Sequence, residues 1–129
     1  MKQAFIVFAL SLFFAVSGFA QSTPETAKLL SAAEFKKMVD TKSALIVDVR
    51  TTEEFSEGHI PGAINIDVNS PKFLKEIKKL PKTKPLALYC KSGRRSHQAA
   101  TKIAGRGFII YELNNGFTDW VKAGFPSIK

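Results

Sequence analysis

The sequence predicts an α/β domain in which helices cover both faces of a parallel sheet. Apolar runs at residues 44–47, 63–66, 86–89 and 108–113 have the composition of strands, and helical patterns separate them. The runs at 44–47 and 86–89 are continuously apolar, which is typical of strands buried on both faces. The chain has 129 residues, 45% hydrophobic and 23% charged, which suits one globular domain.

Capping signals place the first helices. Residues 31–34 read S-A-A-E, a capping box that begins a helix running toward Asp40. Residues 51–54 read T-T-E-E and predict a second capping box for a short helix around Phe55. Residues 60–62 read I-P-G, in the order that a type II turn requires, and lead into the strand at 63–66.

Three further helices are predicted in the second half of the chain. Ser70 and Pro71 begin a lysine-rich helix, with proline at its first position. A helix at residues 96–104 follows the strand at 86–89 and ends at one of two nearby glycines, Gly105 or Gly107. The last helix ends at a glycine and contains three large apolar residues: Phe117, Trp120 and Val121.

The N-terminus has the three-part layout of a secretory signal peptide. Met1–Gln3 is positively charged, residues 4–16 are almost purely apolar, and small residues precede a cut after Ala20. We therefore expect a signal peptide at 1–20, a leader at 21–28 and a domain at 29–129. If this signal peptide is cleaved, we expect a periplasmic or secreted protein without stable membrane association. The alternative is an uncleaved anchor, although the apolar run is short for a membrane span.

The chain is strongly basic. Its net charge is +8 and its pI is near 9.8. A solvated helix face explains most of the lysines, and a general positive field that attracts anionic substrates is compatible with it. We expect no nucleic-acid binding, because the chain is predicted to be exported. Six of them are concentrated around the lysine-rich helix: Lys72, Lys75, Lys78, Lys79, Lys82 and Lys84.

Cys90 is the only cysteine, and it comes directly after a predicted strand. An unpaired cysteine in an exported monomer is either buried and inert or reactive, and an intermolecular disulfide is a third possibility. Residues 90–95 form a glycine-containing loop before a helix, with Arg94 and Arg95 close to the thiol. Backbone N–H groups, a helix N-terminus and nearby cations favour the thiolate. The pattern therefore predicts a nucleophilic cysteine that handles a small anion.

Two segments together resemble the rhodanese family. They are LIVDVRTTEEFSEGHIPGAINI at residues 45–66 and LALYCKSGRRSHQAA at residues 86–100, and the resemblance covers about residues 28–129. It implies a three-layer fold with a central five-stranded parallel sheet flanked by helices. It also implies a thiosulfate sulfurtransferase whose cysteine cycles through a persulfide. Among such proteins, this exported, basic, single-domain chain most resembles the small periplasmic members of the phage-shock type.

The resemblance assigns roles to individual positions. Cys90 matches the sulfur-carrying cysteine, and the pair Asp48 and Arg50 matches a D-V-R motif that ends an earlier strand. Glu54 and His59 belong to an E-x4-H-x-P-G stretch, continued by Pro61 and Gly62, that we interpret as mainly structural. His97 follows the loop on the next helix, where we expect it to face solvent. The residues that match the cradle around the sulfur are Lys91, Ser92, Gly93, Arg94, Arg95 and Ser96.

The family implies partners but no cofactor and no metal. The donor is a small sulfur-containing anion such as thiosulfate, the acceptor is cyanide or a thiol, and a monomer contains every motif that the site needs. Two alternatives stay open. One is a persulfide carrier or binding module without turnover. The other is a cysteine phosphatase or arsenate reductase, disfavoured because such phosphatases carry C-x5-R whereas Ser96 stands at that position.

Overall fold

The computed structural model describes residues 27–129. The predicted signal peptide and all but the end of the predicted leader lie outside the described residues. The prediction of an α/β fold with a five-stranded parallel sheet is confirmed. The strands are β1 (Lys28–Leu30), β2 (Leu45–Asp48), β3 (Ile64–Asn65), β4 (Leu86–Tyr89) and β5 (Ile110–Leu113). The helices are α1 (Ala32–Thr41), α2 (Thr52–Glu57), α3 (Phe73–Lys78), α4 (Arg94–Ile103) and α5 (Gly116–Lys122).

Strand β4 lies at the centre of the sheet. The strand order is β1-β5-β4-β2-β3, and every pair is parallel. Asp48 at the end of β2 is in register with Tyr89 at the end of β4. The residues that follow these strands, Arg50 and Cys90, therefore lie at the same edge of the sheet. In open parallel sheets this carboxyl edge is where ligands bind.

The sheet separates two apolar layers. Leu86, Leu88 and Cys90 face one layer, which α3 and α4 complete. Ala87 and Tyr89 face the other layer, which α1 and α5 complete. All four residues of β4 are buried, which explains why this strand is continuously apolar rather than alternating.

The two predicted capping boxes have different outcomes. At α1 the box is complete, because the Ser31 hydroxyl accepts from the Glu34 N–H and the Glu34 carboxylate accepts from the Ser31 N–H. At α2 the Thr51 hydroxyl accepts from the Glu54 N–H. The Glu54 carboxylate, however, is bonded to a distant arginine rather than to the N-cap backbone. The prediction of a second capping box is therefore only half correct.

The turn at residues 60–63 is confirmed as type II. The Ala63 N–H donates to the Ile60 carbonyl over 3.1 Å, and Gly62 has φ +82°. Only glycine adopts this left-handed conformation without steric cost. The turn directs the chain into β3, whose partner is β2.

Several helix boundaries differ from the predictions. Helix α3 begins at Phe73 rather than at Pro71, because Ser70 lies in a preceding turn and its hydroxyl accepts from the Lys72 N–H. Helix α4 begins at Arg94 rather than at Ser96, with Gly93 as its N-cap. The predicted loop at 90–95 is therefore shorter, and two of its residues belong to the first turn of α4.

Strand β1 was not predicted from its residues; the count of five came from the family resemblance. It begins at Lys28, the last residue of the predicted leader, and pairs with β5. Within residues 27–129, no helix is long and apolar enough to cross a membrane.

Candidate active site

Cys90 lies at the bottom of the loop that joins β4 to α4. Its exposed fraction is 1%. The Gly93 N–H donates to the Cys90 Sγ over 3.1 Å, and the Ser96 Oγ lies 3.7 Å from the same sulfur. Gly93 has φ +104°, a conformation that glycine adopts without steric cost. The sulfur is thus held between a backbone donor and a hydroxyl.

The loop presents further N–H groups that are free to bind an anion. Within residues 27–129, no backbone carbonyl accepts a hydrogen bond from the N–H of Lys91, Ser92, Arg94 or Arg95. The first N–H groups of a helix have no partner inside it, and the helix dipole places partial positive charge there. Of these N–H groups, those of Arg94 and Arg95 belong to the start of α4, whereas those of Lys91 and Ser92 lie in the loop before it.

Helix α5 fixes the other side of the loop. The Phe117 N–H donates to the Cys90 carbonyl over 2.8 Å, and the Thr118 N–H donates to the Lys91 carbonyl over 3.1 Å. The Thr118 hydroxyl donates to the same carbonyl over 2.9 Å. The start of α5 therefore binds the carbonyl side of the loop, which leaves its N–H side for a ligand.

Gly116 makes this contact possible, and the sequence reasoning missed it. A Cβ at this position would lie 2.4 Å from the Cys90 carbonyl oxygen. Asn115 and Gly116 have φ +55° and +59°, a left-handed pair that turns the chain sharply between β5 and α5. The N-N-G sequence at 114–116 is the signal that identifies such a turn.

The two arginines after Cys90 have different environments. Arg95 forms a bidentate ion pair with Glu54, with N–O distances of 2.7 and 2.9 Å. Hydrogen bonds from Arg95 lower the pKa of Glu54 to about 2, and the same bonds raise the pKa of Arg95. Arg94 is exposed, and no salt bridge among residues 27–129 includes it. Arg94 is thus available to a ligand, whereas Arg95 joins the loop to α2.

Asp48 and Arg50 form a buried ion pair beside the loop. The Arg50 guanidinium donates to Oδ1 of Asp48 over 3.0 Å, to Oδ2 of Asp48 over 2.7 Å and to the Gly58 carbonyl over 2.7 Å. It also lies 4.5 Å from the centre of the Phe117 ring. Burial opposes its charge, but the bonds to Asp48 outweigh burial and the pKa of Arg50 is raised. These contacts join β2, α2 and α5.

Neither histidine contacts the Cys90 thiol in the described hydrogen-bond network. The His59 ring stacks on Phe55 at 3.7 Å, and its Nδ1 lies 2.9 Å from the Phe55 carbonyl. His97 is largely exposed, and its Nδ1 lies 3.5 Å from the buried carboxylate of Glu112. A packing role for His59 and a solvent-facing position for His97 agree with these contacts. Glu112 was not predicted as a partner of His97.

The described residues offer no metal centre. Within residues 27–129, no group of three or more histidine, cysteine, aspartate or glutamate side chains is arranged to hold a metal ion. The arrangement that the structure does present is a buried sulfur, a set of N–H donors and two exposed cationic side chains, those of Lys91 and Arg94. Such a site suits covalent chemistry on a small anion.

The sequence matches one known family model, the rhodanese-like domain, over residues 31–123. A thiosulfate sulfurtransferase of Shewanella oneidensis, GlpE, is 35% identical over 97 residues, which cover 74% of this chain and 94% of that protein. A putative sulfur carrier protein of Bacillus subtilis, YrkF, is 35% identical over 103 residues, 78% of this chain and 52% of that protein.

The fold is also similar to solved structures. A rhodanese-related protein from Thermoplasma volcanium superposes with a TM-score of 0.71 at 27% sequence identity. The match covers 78% of this chain and 97% of that one. The likeness therefore extends over nearly the whole of that chain.

Proposed function

This chain belongs to the rhodanese-like family, and from that premise we propose that it is a thiosulfate sulfurtransferase. In this proposal Cys90 carries a sulfane sulfur from thiosulfate to cyanide or a thiol. The observation that carries the proposal is the 3.1 Å hydrogen bond from the Gly93 N–H to the Cys90 Sγ. It places the sulfur at the centre of a loop whose other N–H groups are unoccupied by backbone carbonyls. Such a loop stabilises negative charge on sulfur.

The first half-reaction forms a persulfide. The Cys90 thiolate attacks the outer sulfur of thiosulfate, a new S–S bond forms, and the S–S bond of thiosulfate breaks. The bonding pair leaves with sulfite, so no external oxidant or reductant is required. Arg94 and Lys91 are exposed beside the loop, and we assign them the attraction of the anionic donor.

Burial of the thiol selects a small donor. Because Cys90 is only 1% exposed, the site suits a donor that presents the reacting sulfur as a single projecting atom. The outer sulfur of thiosulfate is such an atom. The loop between Cys90 and α4 is also short, because Gly93 is already the N-cap of α4. A short loop supports sulfur transfer over the phosphatase alternative, in which the loop encloses a larger phosphoryl group.

The second half-reaction returns the free thiolate. Cyanide or a thiolate attacks the terminal sulfur of the Cys90 persulfide, and the electron pair of the broken S–S bond returns to Sγ. The product is thiocyanate or a persulfide of the acceptor. The N–H groups of Lys91, Ser92 and Gly93 hold the terminal sulfur between the two steps. Donor and acceptor react in turn, which is covalent ping-pong catalysis.

A second candidate function is a persulfide carrier that passes its sulfur only to a partner protein. The similarity to YrkF, a putative sulfur carrier protein, favours this alternative. In both cases Cys90 takes up sulfur, and only turnover with small acceptors separates the two functions.

We also propose that the protein is exported, because residues 1–20 have the layout of a secretory signal peptide.

The distinguishing experiment is steady-state turnover with thiosulfate as donor and cyanide or a small thiol as acceptor. A sulfurtransferase gives many product molecules per protein, with parallel lines in double-reciprocal plots, as ping-pong kinetics requires. A carrier gives a single stoichiometric release and then stops. Cys90→Ser is the control and forms no product in either case.

A further inference from the structure

A cleft of about 450 Å³ lies beside the Cys90 loop. Lys91 and Thr118 line the side of the cleft nearest the loop, while Glu57, Phe117 and Val121 contribute to the remainder of its surface. Cavities of this size bind organic molecules. Thiosulfate and cyanide are small inorganic anions and fill only a fraction of the cleft, so neither accounts for it.

The charged groups around this cleft differ in their availability. Arg50 and Glu54 also line it, but each is already bonded to a partner of opposite charge. Lys91 and Glu57 are both exposed. No salt bridge within residues 27–129 includes either of them. The cleft therefore offers a ligand one ammonium and one carboxylate.

Apolar surface accompanies these two charges. Val121 is 55% exposed although it is a large hydrophobic residue, and it lines the cleft together with Phe117. A ligand that fits this lining carries a carboxylate, an ammonium and a short apolar or peptide body.

We propose that the cleft is the acceptor subsite and that it takes thiols of the amino-acid type, namely cysteine and small cysteinyl peptides. This inference rests on the proposed sulfurtransferase function. The ligand carboxylate binds Lys91, its ammonium binds Glu57, and its thiol projects over the loop toward the Cys90 persulfide. The acceptor thiolate attacks the terminal sulfur, the Cys90 S–S bond breaks, and its electron pair returns to Sγ. The products are an amino-acid persulfide and the free Cys90 thiolate.

The test measures the discharge of a preformed persulfide with a matched set of acceptors. Cysteine has both an ammonium and a carboxylate group, cysteamine has only the ammonium, mercaptopropionate has only the carboxylate, and mercaptoethanol and cyanide have neither group. The variants are Glu57→Gln and Glu57→Lys. Glu53→Gln is the control, since Glu53 is exposed on the same helix and does not line the cleft. Each rate is divided by the rate of the wild-type protein with the same acceptor, which cancels differences in thiol reactivity.

We expect Glu57→Gln to slow discharge by cysteine and cysteamine about threefold, the effect of losing one exposed ion pair. Glu57→Lys is expected to slow discharge by cysteamine about tenfold and to accelerate discharge by mercaptopropionate, because the substitution reverses the charge at this position. Discharge by mercaptoethanol and cyanide stays at the wild-type rate in both variants, and Glu53→Gln matches wild type throughout. Equal relative rates for all five acceptors in the Glu57 variants would overturn the proposal.

Loading and discharge are measured separately, so the two proposals fail in different ways. If thiosulfate leaves the mass of the protein unchanged, the donor in the proposed function is wrong. In that case polysulfide is used to load Cys90 instead of thiosulfate. The Cys90 thiolate takes one sulfur from the polysulfide and releases a shortened polysulfide. The discharge comparison proceeds unchanged on protein loaded in this way.

Discussion

Substituting Gly116 by alanine tests whether α5 holds the Cys90 loop in place. The added Cβ would lie 2.4 Å from the Cys90 oxygen, and 2.7 and 2.8 Å from the carbonyl carbon and oxygen of Lys91. These are backbone atoms, so no side-chain rotation relieves the overlap. Either the start of α5 or the loop must move. The hydrogen bonds from Phe117 and Thr118 to the loop carbonyls are lost with that movement.

The magnitude follows from two contributions. Alanine at φ +59° costs about 1 kcal/mol because L-residues disfavour the left-handed region. Each hydrogen bond lost to the loop costs about 1 kcal/mol more, and the structure has a backbone bond from Phe117 and another from Thr118. We therefore expect a loss of about 3 kcal/mol of unfolding free energy, equivalent to a decrease of about 10–20 °C in Tm for a domain of this size.

The assay combines urea denaturation with the rate of sulfur uptake from thiosulfate. Gly105→Ala is the matched control, because Gly105 has φ +76° and nothing within 4 Å of an added Cβ. It should cost only the backbone contribution of about 1 kcal/mol and leave uptake unchanged. Gly116→Ala should also slow uptake at least tenfold. If both variants lose the same stability and retain the same uptake rate, the proposed support of the loop by α5 is wrong.

Three further substitutions address the ion pairs and a helix cap. The pKa of Glu54 is lowered to about 2 from its ordinary 4.5, so its pair with Arg95 stabilises the fold fully above pH 4.5 and progressively less as the pH falls toward 2. Glu54→Gln should thus lower Tm by about 5 °C near neutral pH. It should leave Tm unchanged once the pH is below about 2, and thermal scans across this pH range measure the difference. Asp48→Asn leaves Arg50 buried without its counter-charge and should cost about 3–5 kcal/mol in urea denaturation. Ser31→Ala should cost about 1 kcal/mol in the same assay, because it removes the acceptor of the capping box.

Each of these expectations has an outcome that contradicts it. A Glu54→Gln deficit that stays constant with pH would mean that the ion pair is not its cause. An Asp48→Asn variant as stable as wild type would mean that Arg50 moves into solvent without cost. For the cap, Ser31→Thr should retain the stability that Ser31→Ala loses, and equal losses in both would exclude the hydroxyl as the cause.

Local signals in the sequence predicted the parts of the fold that depend on neighbouring residues. Strand β4 has the predicted ends, because its apolar run is bounded by Pro85 and by the loop at Cys90. Helix α1 begins where its capping box places it. These elements are specified by residues only a few positions apart, so their sequence patterns are sufficient.

Features that depend on distant residues were not predicted. Strand β1 has only three residues, of which only Leu30 is buried, and it exists because β5 supplies its partner. The local pattern assigned the Glu54 carboxylate to a cap, but in the structure it binds Arg95, which is 41 positions away in sequence. A bidentate bond to a cation is stronger than a bond to one backbone N–H.

The candidate active site also has some features that depend on neighbouring residues and others that depend on distant ones. Cys90 and its N–H-rich loop are visible in one short segment, since a strand, a glycine and a helix start follow one another there. Gly116 and the start of α5 approach this loop only in the folded chain. The sequence therefore indicated the proposed nucleophile, whereas the support of the loop required the structure.

The most direct test of the central claim is the intact mass of the protein after incubation with thiosulfate, beside the Cys90→Ser variant. Sulfur transfer through Cys90 predicts a gain of about 32 Da, one sulfur atom, that is absent in the variant and reversed by cyanide. An unchanged mass in the wild-type protein, or the same gain in Cys90→Ser, would contradict it.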